Sequence, residues 1–236
     1  MLMPGSRPTV VLVHGAFANT SSWSKLIPLL MAKGLSVVAV NCPLSSLADD
    51  VAAVGRVIGM QDGPVLLVGH SWGGATITEA GNDPKVSGLV YIAAAAPDSG
   101  ESFNQWWAGS PPAPGAPEIK PYGPGGYVVL TAAGFRDHFG QDLASDETAL
   151  LHATQGPFAQ GSNDEKISNA AWRDKPTWFV IGENDHMLLF DLEKATAQKL
   201  GAKTLVLSSS HLPMLSQPYA VADFIQEAAS QLGSAE

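Results

Sequence analysis

The stretch that decides the fold is residues 64–74, Pro64-Val65-Leu66-Leu67-Val68-Gly69-His70-Ser71-Trp72-Gly73-Gly74. It starts as a continuous apolar run, which suits a strand buried on both faces. It then passes through Gly69-His70-Ser71-Trp72-Gly73, a G-x-S-x-G pentapeptide. Residues from Trp72 to Gly81 read as a short helix. A serine at a sharp strand-to-helix turn has its hydroxyl exposed, and small residues on both sides let the backbone pass closely. The amide of Trp72 falls at the helix N-terminus, where N–H groups are unpaired and the helix dipole is positive. Such an amide suits an oxyanion. A bare Gly-Ser turn is the bland alternative, and the strand before and helix after argue against it.

Outward from this turn the same alternation continues. Strands are expected at Thr9–His14, Ser36–Val40 and Val86–Ala94, with helices at Trp23–Lys33 and Leu47–Met60. Asp49 and Asp50 fall in the first turn of the second helix, where the dipole favours them. The rhythm implies parallel βαβ units with right-handed crossovers. It stops at Asp98 and resumes after Lys175, with strands at Thr177–Ile181 and Thr204–Leu207 and helices around Leu188–Leu200 and Tyr219–Gln231. The expected fold is therefore α/β: a mostly parallel sheet of about six strands flanked by helices, in a single domain spanning 1–236. Residues 98–175 form a cap insertion within it. That insertion contains a Pro/Gly-rich loop at Ser110–Gly126, a short strand at Tyr127–Thr131 and a helix at Asp146–Ala153.

A serine hydroxyl needs a base, and the base needs an orienting acid. Of six histidines, His211 follows the last strand, where this architecture places the base. His14 and His70 are expected to orient the loops around the oxyanion site. Asp185, in the turn after Thr177–Ile181, is the leading acid, and Asp98, after the fourth strand, is its rival. The second oxyanion donor is expected from the loop after the first strand, at the amide of Ala16, with Phe17 as the alternative.

With these residues placed, the chain resembles the α/β-hydrolase superfamily. The segments HGAF (14–17), GHSWGG (69–74) and SHLPMLSQP (210–218) are similar to the branch of plant methyl-ester esterases, hydroxynitrile lyases and small bacterial esterases. The resemblance implies Ser71 as nucleophile, Asp185 as acid, His211 as base, amides of Ala16 and Trp72 as oxyanion donors, and the insertion as a cap. Two departures favour ester hydrolysis within that branch. Leu212 stands where hydroxynitrile lyases carry a lysine, and HGAF lacks the proline usual in cofactor-free haloperoxidases and perhydrolases.

Composition narrows the rest. The chain has 236 residues, 45% hydrophobic and 15% charged, with a formal net charge of −9 and no basic cluster. That composition supports a large core and disfavours nucleic acid and anionic membranes as partners. No apolar run reaches the roughly 20 residues of a membrane helix. The N-terminal residues lack the apolar stretch of a secretory signal. The lone Cys42 suits a reducing compartment, so a cytoplasmic location is expected. No nucleotide-binding glycine motif or metal-ligand spacing occurs, so no cofactor and no metal are expected. The expected partner is a small-molecule ester. Phe17, Trp106 and Trp107 are candidate pocket residues, the two tryptophans serving equally well as anchors of the insertion. A lactonase, amidase or perhydrolase with the same three residues is the alternative chemistry. A ligand receptor with little turnover is the alternative class.

Overall fold

A computed structural model describes residues 7–233 of the chain. The expectation about a leader rests on Met1–Ser6, which lie outside the described residues. The main sheet contains β1 (Thr9–Val13), β2 (Val37–Val40), β3 (Val65–Ser71) and β4 (Val86–Ala94), joined by α1 (Leu26–Ala32), α2 (Leu47–Gly59) and α3 (Trp72–Ala80). After β4 the chain leaves the sheet. It forms α4 (Phe103–Trp107), β5 (Ile119–Pro121), β6 (Tyr127–Leu130), α5 (Ala132–Gly134), α6 (Ser145–Thr154) and β7 (Phe158–Ala159). It returns through β8 (Thr177–Gly182), α7 (Phe190–Lys199), β9 (Lys203–Leu207), α8 (Pro213–Ser216) and α9 (Pro218–Gly233).

The main sheet has six strands in the order β2-β1-β3-β4-β8-β9, and every pairing within it is parallel. The central strands are covered on both faces, which is why they read as unbroken apolar runs. Val10 to Val13 and Val65 to Val68 are fully buried. The order reverses beside β1 and β3, so the loops after those strands meet at the carboxyl edge, the place where open α/β sheets bind ligands. The helix α3 lies directly on this edge, and two glycines permit the approach. A Cβ on Gly73 would sit 2.4 Å from the Val13 carbonyl oxygen, and one on Gly74 would sit 2.2 Å from that of Ala95.

Three local readings need correction. Trp23 ends a 3₁₀ turn, Thr20–Trp23, and α1 begins only at Leu26. Lys25 makes no side-chain cap, whereas Asn19 caps the 3₁₀ turn by accepting from the Ser21 amide at 2.7 Å. The proline-rich segment is not all loop: it contributes β5, which pairs antiparallel with β6. Finally, β6 also pairs with β7, so the insertion has its own three-stranded sheet. The expected strand at Tyr127–Thr131 is β6, whereas β5 and β7, of three and two residues, show too little alternation to be read from sequence. Among the described residues, no helix is long and apolar enough to cross a membrane.

Candidate active site

Ser71 occupies the turn between β3 and α3 with φ 53° and ψ −121°. Positive φ is costly for a residue with a Cβ, and such strain collects where a side chain must be presented at a fixed angle. Trp72 is the first residue of α3, so its amide has no partner within the helix. Ser71 and Trp72 border a cavity of about 620 Å³, including its open mouth, together with Ala16, Phe17 and His211.

His211 lies in the loop after β9 and is 1% exposed. Its Nδ1 is 2.6 Å from Asp185 Oδ2. Asp185 lies in the turn after β8, and its Oδ1 accepts the amides of Met187 and Leu188 at 2.6 and 2.9 Å. A carboxylate oxygen only accepts, so the contact with Oδ2 puts the proton on His211 Nδ1 and leaves Nε2 as an acceptor. The loop preceding His211 is held by Asp142, which accepts the Ser210 amide at 2.9 Å. Ser71 and His211 share the cavity wall, and no hydrogen bond joins their side chains among the described residues. Such contacts commonly tighten only with substrate bound.

The rival acid is placed elsewhere. Asp98 forms a bidentate pair with Arg173 at 2.8 and 2.7 Å and lies 3.0 Å from Lys199 Nζ. Burial pushes its carboxyl up, but hydrogen bonds from Arg173, Lys199 and the Ser99 amide outweigh that and hold it down at about 2. The structure therefore brings Asp185, and not Asp98, to His211.

His14 and His70 support the loops. His14 Nδ1 donates to the Gly15 carbonyl at 3.0 Å, and Nε2 accepts the Cys42 amide at 3.1 Å. Those opposite roles define a neutral ring, and burial lowers its pKa despite the Gly15 bond. His70 Nε2 donates to the backbone carbonyl of His211 at 2.9 Å, tying the serine turn to the histidine loop. Burial first, then the neighbouring His211, keeps His70 well below its ordinary value.

The insertion supplies the opposite wall through Phe103, Ile119, Val128, Phe158, Gln160 and Asn163. Phe17 borders the cavity as expected from sequence, but Trp106 and Trp107 do not. Trp106 is 8% exposed, packs with Ala95 and Leu188, and donates its indole N–H to Thr196 Oγ1 on α7 at 3.0 Å. Its N–H needed an acceptor when buried, and α7 offers one away from the cavity. Trp107 stacks on Phe103 at 6.2 Å between ring centres. The two tryptophans anchor α4, and Phe103, one turn earlier, reaches the cavity.

Sequence reading missed two buried carboxylates. Asp50 is 0% exposed and accepts the Trp72 indole N–H and the Leu44 amide, each at 2.8 Å. It shares a stripe with Leu47, Val54 and Ile58, the buried face of α2, so helical spacing placed it inward. Glu193 is also 0% exposed, and neither carboxyl oxygen has a hydrogen-bond partner among the described residues. Burial first, then the nearby Asp185, push its pKa well above the usual range against a smaller opposing pull from the Ala94 backbone. Burial therefore disfavours the charged form of Glu193, and its spacing with Thr196 and Ala197 on the buried side of α7 was the available signal. Cys42 is buried, and burial raises its thiol, with Asp50 adding to the effect.

Known proteins share this architecture. A polyneuridine aldehyde esterase crystal structure superposes with a TM-score of 0.84 at 23% identity, covering 95% of this chain and 100% of that one. A pyrethroid hydrolase from Sphingobium faniae JZ-2 gives a TM-score of 0.80 at 20% identity, covering 94% and 97%. Among relatives by sequence, the probable hydrolase R7 of Phoma sp. is 25% identical over 252 residues, 95% of this chain and 99% of that protein. Methylesterase 2 of Arabidopsis thaliana is 25% identical over 253 residues, 91% and 93% of the two chains. Residues 10–224 match the model of the alpha/beta hydrolase family, and the chain belongs to that family.

Proposed function

We propose that this protein is a serine esterase that cleaves small or medium carboxylic esters through an acyl-enzyme on Ser71. The observation that carries the reading is the His211–Asp185 pair at 2.6 Å, opening onto the same cavity as the strained Ser71. Ser71 Oγ attacks the ester carbonyl while His211 Nε2 takes its proton. The amides of Ala16 and Trp72 hold the oxyanion. His211 returns the proton to the leaving alcohol, and then draws a proton from water to release the acid. Segment 98–175 serves as the cap, and its apolar wall suits an ester with an apolar acyl or alcohol part. Names of relatives agree in kind, since methylesterases and a pyrethroid hydrolase are among them. A cytoplasmic location is part of the same reading, consistent with one buried free thiol.

Initial rates on p-nitrophenyl esters from acetate to octanoate, for wild type and Ser71→Ala in parallel, test this. Turnover that disappears in the variant supports the reading. Ligand binding without turnover by folded wild type would instead favour a receptor built on the same fold.

A further inference from the structure

Asp50 stands outside the reacting groups, yet it is fully buried and both of its oxygens are engaged. Oδ2 accepts the indole N–H of Trp72, and Oδ1 accepts the amide of Leu44. Leu44 is held at φ +59°. Its carbonyl accepts the amide of Ala159 in β7 at 2.9 Å. The residue before Ala159 is Phe158, whose ring lies 5.0 Å from that of Trp72, centre to centre, and both rings border the cavity. The contacts therefore close a ring: Asp50 to Trp72, Trp72 to Phe158, Ala159 to Leu44, and Leu44 back to Asp50. One carboxylate thus secures two rings that touch each other at the cavity, Trp72 directly and Phe158 through a single intervening residue.

We propose that Asp50 is a specificity-positioning residue, which holds the Trp72 and Phe158 rings, packed edge to face, as one aromatic wall against which a planar group of the substrate lies. This rests on the esterase reading above and deepens it. Without the Asp50 acceptor, the Trp72 N–H is left unpaired in an apolar wall, and the ring must turn to find another partner. A planar acyl group that contacts both rings loses its fit, whereas an acetyl group is too small to span them. Burial raises the Asp50 carboxyl to about 6 against the Trp72 and Leu44 hydrogen bonds, so above neutral pH it is the ionised acceptor that both donors require. An asparagine in its place carries one acceptor oxygen and satisfies only one of the two.

The test compares kcat and KM for p-nitrophenyl benzoate and p-nitrophenyl acetate at pH 8, in wild type, Asp50→Asn, Trp72→Phe and the double variant. Asp50→Asn is expected to lower the benzoate-to-acetate ratio of kcat/KM by roughly tenfold, mostly through KM for benzoate. Trp72→Phe, which keeps a ring and deletes the N–H, is expected to move the ratio in the same direction. In the Trp72→Phe background, Asp50→Asn is expected to add little, because contacting residues are not additive. An unchanged ratio in folded Asp50→Asn overturns the proposal, as does an equal Asp50→Asn effect with and without the indole. If Asp50→Asn does not fold, an unchanged ratio in Trp72→Phe overturns it. Wild type without Ser71-dependent turnover refutes the esterase reading beneath it. Ser71-dependent turnover with an unchanged ratio refutes the role of Asp50 alone.

Discussion

Asp185→Asn is the most informative single substitution, because the backbone dictates how the new amide must sit. Oδ1 of Asp185 accepts two amides, from Met187 and Leu188, while Oδ2 faces His211 Nδ1. Asparagine therefore keeps its oxygen toward the two amides. The flipped orientation would leave both donors unpaired, at about 1–3 kcal/mol each. The NH₂ group then faces His211 and donates to Nδ1, which forces the imidazole proton onto Nε2. In that tautomer Nε2 cannot accept the Ser71 proton. Recovering the working tautomer costs about 2–6 kcal/mol from the two lost amide bonds, and the stabilisation of the imidazolium is lost as well. A drop in kcat of about 10³–10⁴-fold is expected, which is about 4–5.5 kcal/mol in the barrier. KM should change little, since Asp185 does not border the cavity. Steady-state kinetics on p-nitrophenyl butyrate, with far- and near-UV circular dichroism to establish folding, provide the assay. Asp98→Asn is the matched control and should leave kcat within about threefold. A folded Asp185→Asn retaining more than about a tenth of wild-type kcat would refute the reasoning.

Four further outcomes follow from the same geometry. Asp98 is held at about 2 when folded, below the ordinary range of an aspartate, so its stabilisation is present above that ordinary range and is lost as pH falls through about 2. Urea unfolding should show wild type more stable than Asp98→Asn by about 1 kcal/mol at pH 7, because solvent screens the half-exposed Arg173 and Lys199, with the difference shrinking as pH falls toward about 2. A constant difference across that range would exclude the ion-pair origin. Ser71→Gly should be more stable than Ser71→Ala by about 1–3 kcal/mol, because glycine relieves the strain at φ 53° while alanine keeps it. Equal melting temperatures would show that the turn stores no strain. Trp106→Phe should lower stability by about 1–3 kcal/mol through the orphaned Thr196 contact and the lost packing, with little change in ester preference. Phe158→Ala should widen preference toward larger acyl groups, and the reverse pattern would place Trp106 in the pocket.

Local chemistry made much of this protein legible before any coordinates. Buried parallel strands must be apolar on both faces, so TVVLVH and PVLLV announce themselves. A serine flanked by glycines between such a strand and a helix has few other uses, and strand ends in this architecture mark where its partners belong. Sequence spacing left Asp185 and Asp98 as rivals because both follow strands; only the three-dimensional path decided between them, giving one His211 and the other Arg173 and Lys199. The insertion was least legible, since strands of two to four residues carry almost no periodicity and owe their pairing to the surface they cover. Asp50 and Glu193 show the same division in a single residue type. Helical spacing puts each carboxylate on an apolar face, but whether it meets a donor, as Asp50 does, or meets none among the described residues, as with Glu193, depends on atoms far away in the chain.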